Sequence, residues 1–136
     1  MVNLGDALDN PMSYAEPAGS GYEQPGAVFI HELTHAWQIS NGSLLRVLCG
    51  MSSNYDYYQG SRTDDKSWSR RAWHTFNNEQ QAHIVNDWYG AHVVKDATGN
   101  YVLDASGVPV TDQNGFDALN DPAYHFIQDN IRPGIV

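Results

Sequence analysis

The chain has little of several residue types, and each shortage excludes a class of protein. A single cysteine, Cys49, in 136 residues excludes an internal disulfide framework and a cysteine-rich zinc cage. Seven Lys and Arg against 16 Asp and Glu give a formal charge of -9, which repels nucleic-acid phosphates. No apolar run approaches the roughly 20 residues of a membrane span. The sequence therefore predicts an acidic protein that binds neither nucleic acid nor membrane.

The length predicts one domain, 1–136, with four segments along the chain. Residues 1–26 are rich in Gly and Pro and predict loops, whereas 27–94 predict the main helices. Residues 95–115 predict a β hairpin, and 116–136 a C-terminal segment with one short helix. The first residues lack the apolar stretch of an export signal, which indicates a cytoplasmic protein or one delivered by a signal-independent bacterial secretion system.

Two long helices are predicted between residues 27 and 94. Apolar residues recur at helical spacing from Ala27 onward, and Asn41-Gly42 is a typical C-terminal stop. The second helix, about 78–94, starts after Asn77, with Gln80 three residues later as in a capping box. The apolar residues of the first helix predict that it is mostly buried: Phe29, Ile30, Leu33 and Trp37.

A periodic segment follows the second helix. Asp-x-x-Gly recurs three times with a period of eight residues, beginning at Asp96, Asp104 and Asp112. Asp at the first and Gly at the fourth position favour type I turns, and the residues between are typical of strands. Each repeat has too few carboxylates for a calcium loop. We therefore expect a small antiparallel hairpin or meander, and an α+β, zincin-like fold.

The first helix carries the motif that indicates chemistry. His31-Glu32-Leu33-Thr34-His35 is H-E-x-x-H, and residues four apart project from one helix face. The two imidazoles can therefore bind one Zn²⁺, with Glu32 beside them as general base. Buried His and Glu side chains need partners, and a metal ion with its bound water supplies them.

A catalytic zinc site has three protein ligands and one open position, so a third ligand must lie downstream. The metzincin extension is excluded because Gln38 and Asn41 stand where it has Gly and His. Asn78-Glu79-Gln80-Gln81-Ala82 resembles the N-E-x-x-A segment that supplies the third ligand in gluzincins. Glu79 is the favoured third ligand, with Asp56 and His83 as alternatives.

The segments FIHELTHAWQ, YDYY and FNNEQQAHIVNDWY resemble a family of bacterial zincin-like metallopeptidases that includes Vgr-related and Rhs-associated effectors. The resemblance covers about residues 27–94. It implies a gluzincin-type site in which His31, His35 and Glu79 bind zinc and Glu32 is the base. Gluzincins of the thermolysin type have an acidic residue four positions after the ligand Glu, where this chain has His83. Either His83 or Asp87 is then expected to orient a ligand histidine.

One further donor is expected to stabilise the oxyanion of a tetrahedral intermediate. The sequence does not choose among the residues that could supply it, which are Tyr57, Tyr58, Tyr89, His92 and His125.

These patterns together predict a zinc metallopeptidase that acts on a peptide or protein. The resemblance extends the hypothesis to a secreted bacterial toxin or effector with a cognate inhibitor or immunity protein. Two alternatives stay open: a non-catalytic zinc-binding module of a larger secretion-system or toxin protein, and a cell-wall amidase. Glu32 favours an enzyme, because a structural zinc site needs no base beside an open coordination position.

Overall fold

The computed structural model describes part of the chain, and the statements below concern that part. The described residues are 4–17, 22, 24–43, 57, 66–90, 94, 96–98, 102, 105, 110 and 121–136. Helices of all types account for 57% of them, and they contain no strand. None of these helices is long and apolar enough to cross a membrane.

Two helices form the centre of the described structure. Helix α1 spans Ala27–Gln38 and helix α2 spans Asn78–Gly90, and the two pack directly against each other. Three short 3₁₀ helices lie at Gly5–Ala7, Ser67–Arg70 and Trp73–Thr75. Near the C-terminus, α3 spans Tyr124–Phe126 and continues as a wide π turn, Ile127–Ile131. The predicted short helix in this segment is confirmed.

Both ends of α1 follow from local sequence. Gly26 precedes the helix with φ +80°, and its N–H donates to the carbonyl of Tyr14 at 2.9 Å. The helix ends in a π turn, Ile39–Ser43, in which Gly42 has φ +101°. Left-handed backbone favours glycine, so the predicted stop at Asn41-Gly42 is confirmed.

The start of α2 is the predicted capping box. The Asn77 side-chain oxygen accepts the Gln80 N–H at 2.8 Å, and the Gln80 side-chain oxygen accepts the Asn77 N–H at 3.1 Å. Each residue thus satisfies a donor that the first helical turn leaves without a partner. The helix is described as far as Gly90, and residues 91–93, which precede the predicted end at about 94, lie outside the described residues.

The hydrophobic core lies against α2 and is largely aromatic. Ile84 of α2 is fully buried, and Val85 and Trp88 pack at the edge of the same cluster. The cluster is completed by Tyr57 and by residues in or next to the two short helices before α2 and the C-terminal helix: Trp68, Trp73, Phe76, Ala123 and Phe126. Its rings meet in edge-to-face, tilted and stacked pairs, and Trp73 approaches Phe126 with ring centroids 5.3 Å apart. The core therefore fixes α2.

The burial of α1 differs from the prediction. Its buried residues are Ala27, His31, Thr34 and Gln38, whereas Leu33 is 48% exposed. Phe29, Ile30 and Trp37 are only partly buried. The helix therefore packs its polar face against α2, where hydrogen bonds satisfy the buried polar side chains.

The predicted α+β class is wrong for the described residues, and so is the β hairpin over 95–115. Val94, Val102 and Val110 form a closed ring of backbone hydrogen bonds. The N–H of Val94 donates to Val110, that of Val102 to Val94, and that of Val110 to Val102, at 2.8–3.0 Å. A hairpin pairs two residues that exchange both bonds. Here the eight-residue period brings three equivalent positions together instead.

The first residues of the first Asp-x-x-Gly repeat do form a turn. The Asp96 carboxylate accepts hydrogen bonds from the N–H and the hydroxyl of Thr98, at 2.8 and 2.6 Å. This is the Asx-turn arrangement that favours Asp at such positions. Cys49 lies outside the described residues.

We expect Gly26→Ala to destabilise the protein more than Gly42→Ala. Both positions have positive φ, which alone costs an alanine about 1 kcal/mol. A Cβ on Gly26 would also lie 3.2 Å from the Tyr89 hydroxyl and 3.3 Å from the Met12 carbonyl, whereas among the described residues nothing is within 4 Å of one on Gly42. Urea unfolding of the metal-free variants measures the difference. Equal losses would contradict a tight contact at Gly26.

Candidate metal centre

Three side chains from the two central helices converge on one point. His31 and His35 project from successive turns of α1, and Glu79 from the first turn of α2. The two histidine Nε2 atoms are 3.1 Å apart, and each is 3.2 Å from Glu79 Oε2. A tetrahedral zinc ion with bonds of about 2.0–2.2 Å separates its ligands by roughly 3.3–3.5 Å. The three atoms therefore fit one ion with small adjustments.

The other ring nitrogen of each histidine is held by a buried amide. His31 Nδ1 donates to Asn86 Oδ1 at 3.1 Å, and His35 Nδ1 donates to Gln38 Oε1 at 2.8 Å. Both amide side chains are fully buried. With the proton on Nδ1, the Nε2 lone pair of each ring faces the shared point, which is the tautomer that binds metal.

The amide of Gln38 is itself fixed by α2. Its nitrogen donates to the backbone carbonyl of Asn78 at 3.1 Å and to Gln81 Oε1 at 2.9 Å. Gln81 in turn donates to the carbonyl of Trp73 at 3.2 Å. These bonds connect the His35 side chain to the aromatic core, so the orientation of the ligand depends on the packing of α2.

The charges of the cluster interact strongly in the metal-free protein. Burial opposes ionisation of Glu79, but hydrogen bonds from His31 and His35 outweigh it and lower its pKa to about 2. Burial also disfavours the cationic form of His35, but its hydrogen bonds to Glu79 and Gln38 prevail and raise its pKa. Without an ion, the cationic form of His35 therefore compensates the Glu79 carboxylate.

A cavity of about 360 Å³ adjoins this centre. His31 and Glu32 both line this cavity, so the predicted base, Glu32, lies at the same space as the predicted ligand, His31. Its other walls come from the N-terminal segment and the start of α1: Leu4, Gly5, Asp6, Tyr14, Glu16, Tyr22 and Val28.

The structure brings together the favoured ligand set of His31, His35 and Glu79. The two predicted orienting residues lie beside each other, with His83 Nε2 3.5 Å from Asp87 Oδ1. Asp87 accepts hydrogen bonds from the Tyr57 hydroxyl at 2.8 Å and from the Asn86 amide at 3.1 Å. Asp87 therefore acts one step further out, by holding the amide that holds His31.

The remaining predicted donors lie elsewhere or outside the described residues. Tyr57 is 2% exposed within the aromatic core, and burial raises the pKa of Tyr89, whose hydroxyl lies beside Gly26. His125 lines a separate cavity of about 590 Å³ with Arg70 and Arg71. Three of the predicted residues lie outside the described part: Asp56, Tyr58 and His92.

Sequence reasoning missed Asn86, Gln38 and Tyr22. Gln38 lies three residues after His35 on the same helix face, a spacing that could have identified it. Asn86 lies two helical turns after Glu79, but an amide is not a usual zinc ligand, so the ligand pattern does not mark it. Tyr22 lies in a segment without periodicity, where no local signal distinguishes it from the neighbouring tyrosines.

No known family model, curated protein or solved structure matches this chain. The resemblance to zincin-like effectors, with the fold and partners that it implies, therefore stays a prediction.

We expect the free energy of unfolding of the metal-free protein to depend on pH through Glu79 and His35. The lowered pKa of Glu79 stabilises the fold above about pH 4.5, and this contribution is lost as the pH falls toward 2. The raised pKa of His35 stabilises it below about pH 6.5, and this contribution is lost as the pH rises through the raised value. The stabilisation that Glu79 and His35 provide together is therefore greatest between about pH 4.5 and about pH 6.5.

Urea unfolding with a chelator, repeated from pH 2 to pH 8, measures this dependence. Glu79→Gln is expected to flatten both limbs and to cost about 2 kcal/mol near pH 5.5. Glu16→Gln, which changes a carboxylate outside the cluster, is the control. A Glu79→Gln profile parallel to the wild type contradicts the assignment.

We expect the two buried amides to set metal affinity. Asn86→Leu and Gln38→Leu remove the acceptor for a ligand histidine and should weaken zinc binding about 10–100-fold. Competition with a chromophoric chelator measures the affinity. The control is Asn41→Asp, at the exposed end of α1, and an Asn86→Leu affinity equal to that of the control contradicts the role.

Proposed function

We propose that this chain is a zinc-dependent peptidase in which His31, His35 and Glu79 bind the ion and Glu32 is the general base. The observation that carries the proposal is the approach of two imidazole Nε2 atoms and one carboxylate oxygen to within 3.1–3.2 Å of one another. The Nδ1 atom of each histidine donates to a buried amide oxygen. The lone pairs of both Nε2 atoms and of the carboxylate oxygen therefore point to one place, where a cation would be stabilised. Two neutral histidines and one carboxylate are the ligand set of several zinc hydrolases.

The position of Glu32 supports an enzyme over a structural zinc module. Glu32 follows a ligand directly in sequence and lines the same cavity as that ligand. A structural zinc site is closed by four protein ligands, whereas this cluster provides three next to open space. That combination favours a reaction at the ion, with room for a substrate in the cavity.

The chain's own residues divide the work of peptide hydrolysis. A zinc ion held by His31, His35 and Glu79 would supply Lewis acidity, which brings the pKa of a bound water to near 7. Glu32 would accept a proton from the attacking water as it adds to the scissile carbonyl carbon, and would return that proton to the leaving amine as the C–N bond breaks. Asn86 and Gln38 keep both histidines in the tautomer that binds the ion.

The resemblance of the sequence to secretion-system effectors extends the proposal to a toxin that a secretion system delivers. The support for this part is the set of sequence motifs that carry the resemblance. A cell-wall amidase would use the same ion and base on a different amide. The substrate arms of the experiment below separate these activities.

Glu32→Gln is expected to retain stoichiometric zinc and to lose at least about 100-fold in hydrolysis of casein, because only the proton acceptor is removed. Glu79→Ala is expected to lose the zinc as well. The measurements are metal content by elemental analysis and release of peptides from protein purified without chelator. Asp129→Asn, an exposed carboxylate near the C-terminus, is the control and should match the wild type.

The outcomes separate the candidate functions. Cleavage of purified peptidoglycan but not of casein would replace the peptidase with the amidase. Stoichiometric zinc with no hydrolysis of either substrate would favour the non-catalytic module. A folded wild type that takes up no zinc would overturn the metal centre itself.

A further inference from the structure

Tyr22 is held directly against the metal cluster by contacts on both sides of its ring. Its hydroxyl lies 3.4 Å from both ring nitrogens of His31, and the two rings meet edge to face with centroids 5.2 Å apart. On its other side it stacks on His83 at 6.2 Å and 18°. Tyr22 also lines the cavity that contains Glu32. The phenol is therefore positioned at the mouth of the candidate site.

The position of the hydroxyl shows which role it can take. An ion on the lone-pair axis of His31 Nε2 is about 2 Å farther from Nδ1 than from Nε2. The Tyr22 hydroxyl is equally far from both nitrogens, so it lies off that axis. It is then roughly 4 Å from the point where the ion would bind, too far for a ligand and within hydrogen-bond reach of an oxygen on the ion.

We infer that the Tyr22 hydroxyl donates a hydrogen bond to the oxyanion that forms when water adds to the scissile carbonyl. The inference rests on the proposed peptidase function and assigns the donor that the cluster and Glu32 do not supply. As the C–O π bond of the substrate breaks, its electron pair moves onto the carbonyl oxygen, and a fixed donor stabilises the charge that develops there. No proton transfer from Tyr22 is needed.

The other tyrosines near α2 are less suited to this role. Tyr57 already donates to Asp87 at 2.8 Å and is buried in the core. The Tyr89 hydroxyl lies against Gly26 at the start of α1. Among the tyrosines that the structure describes, Tyr14 and Tyr22 line the cavity, and Tyr22 is the one with its hydroxyl 3.4 Å from the ring nitrogens of His31.

The test compares Tyr22→Phe with the wild type on a peptide that the wild-type zinc protein cleaves. We expect kcat to fall about 10²–10³-fold, with KM changed less than about threefold and zinc affinity unchanged. A phosphinic peptide of the same sequence mimics the tetrahedral adduct, and calorimetry should show its affinity for the zinc-loaded variant reduced by a similar factor. Tyr124→Phe, which removes a phenol hydroxyl from the C-terminal helix, is the control for both measurements.

Each outcome decides the matter. A Tyr22→Phe enzyme with wild-type kcat, or with wild-type affinity for the phosphinic peptide, overturns the inference and leaves the peptidase intact. A variant whose losses follow weakened zinc binding also overturns it, because Tyr22 would then only position His31. A wild-type zinc protein that neither cleaves peptides nor binds the phosphinic peptide overturns the proposed function together with the inference.

Discussion

The described structure depends on the register of two helices, because the cluster of His31, His35 and Glu79 takes side chains from both. His31 and His35 must face Glu79 across the contact between α1 and α2, and their Nε2 atoms lie 3.2 Å from its carboxylate. Buried amides hold that register from each side: Gln38 reaches from α1 to α2, and Asn86 reaches from α2 to α1. A slip of one helical turn would leave these amides buried without partners, at a cost of about 1–3 kcal/mol each.

The polar contact between the helices explains how hydrophobic burial is distributed. Ile84 and the aromatic rings around Phe126 pack on α2, away from the cluster. Helix α1 contributes little to that core and exposes Leu33. The core therefore stabilises α2, and α1 is aligned on it by directional bonds. A hydrogen-bonded contact has a narrower set of acceptable geometries than an apolar one, which suits a site that must hold three ligands in position.

The sequence predicted those features that are local or that have a fixed period. The H-E-x-x-H spacing placed His31 and His35 on one face, and the Asn77–Gln80 capping box marked the start of α2. Residues joined only by tertiary contacts, such as Asn86 and Tyr22, were not predicted, because nothing nearby in the sequence fixes their partners. The hairpin over 95–115 is wrong for the described residues, because a repeat of turns specifies a period without specifying which positions pair. Val94, Val102 and Val110, eight residues apart, form a ring of backbone hydrogen bonds.

Amides, and not carboxylates, accept the Nδ1 hydrogen bonds of His31 and His35. This affects the net charge that the site would have with a cation bound. A divalent cation bound there would receive one formal negative charge from its ligands, that of Glu79, because Asn86 and Gln38 are neutral. The ligand set alone would therefore leave an excess of about one positive charge, which the carboxylate of Glu32 in the adjoining cavity would offset. An anionic group that enters the cavity would also meet the carboxylates of Asp6 and Glu16, whereas a neutral carbonyl oxygen would approach the ion without that repulsion.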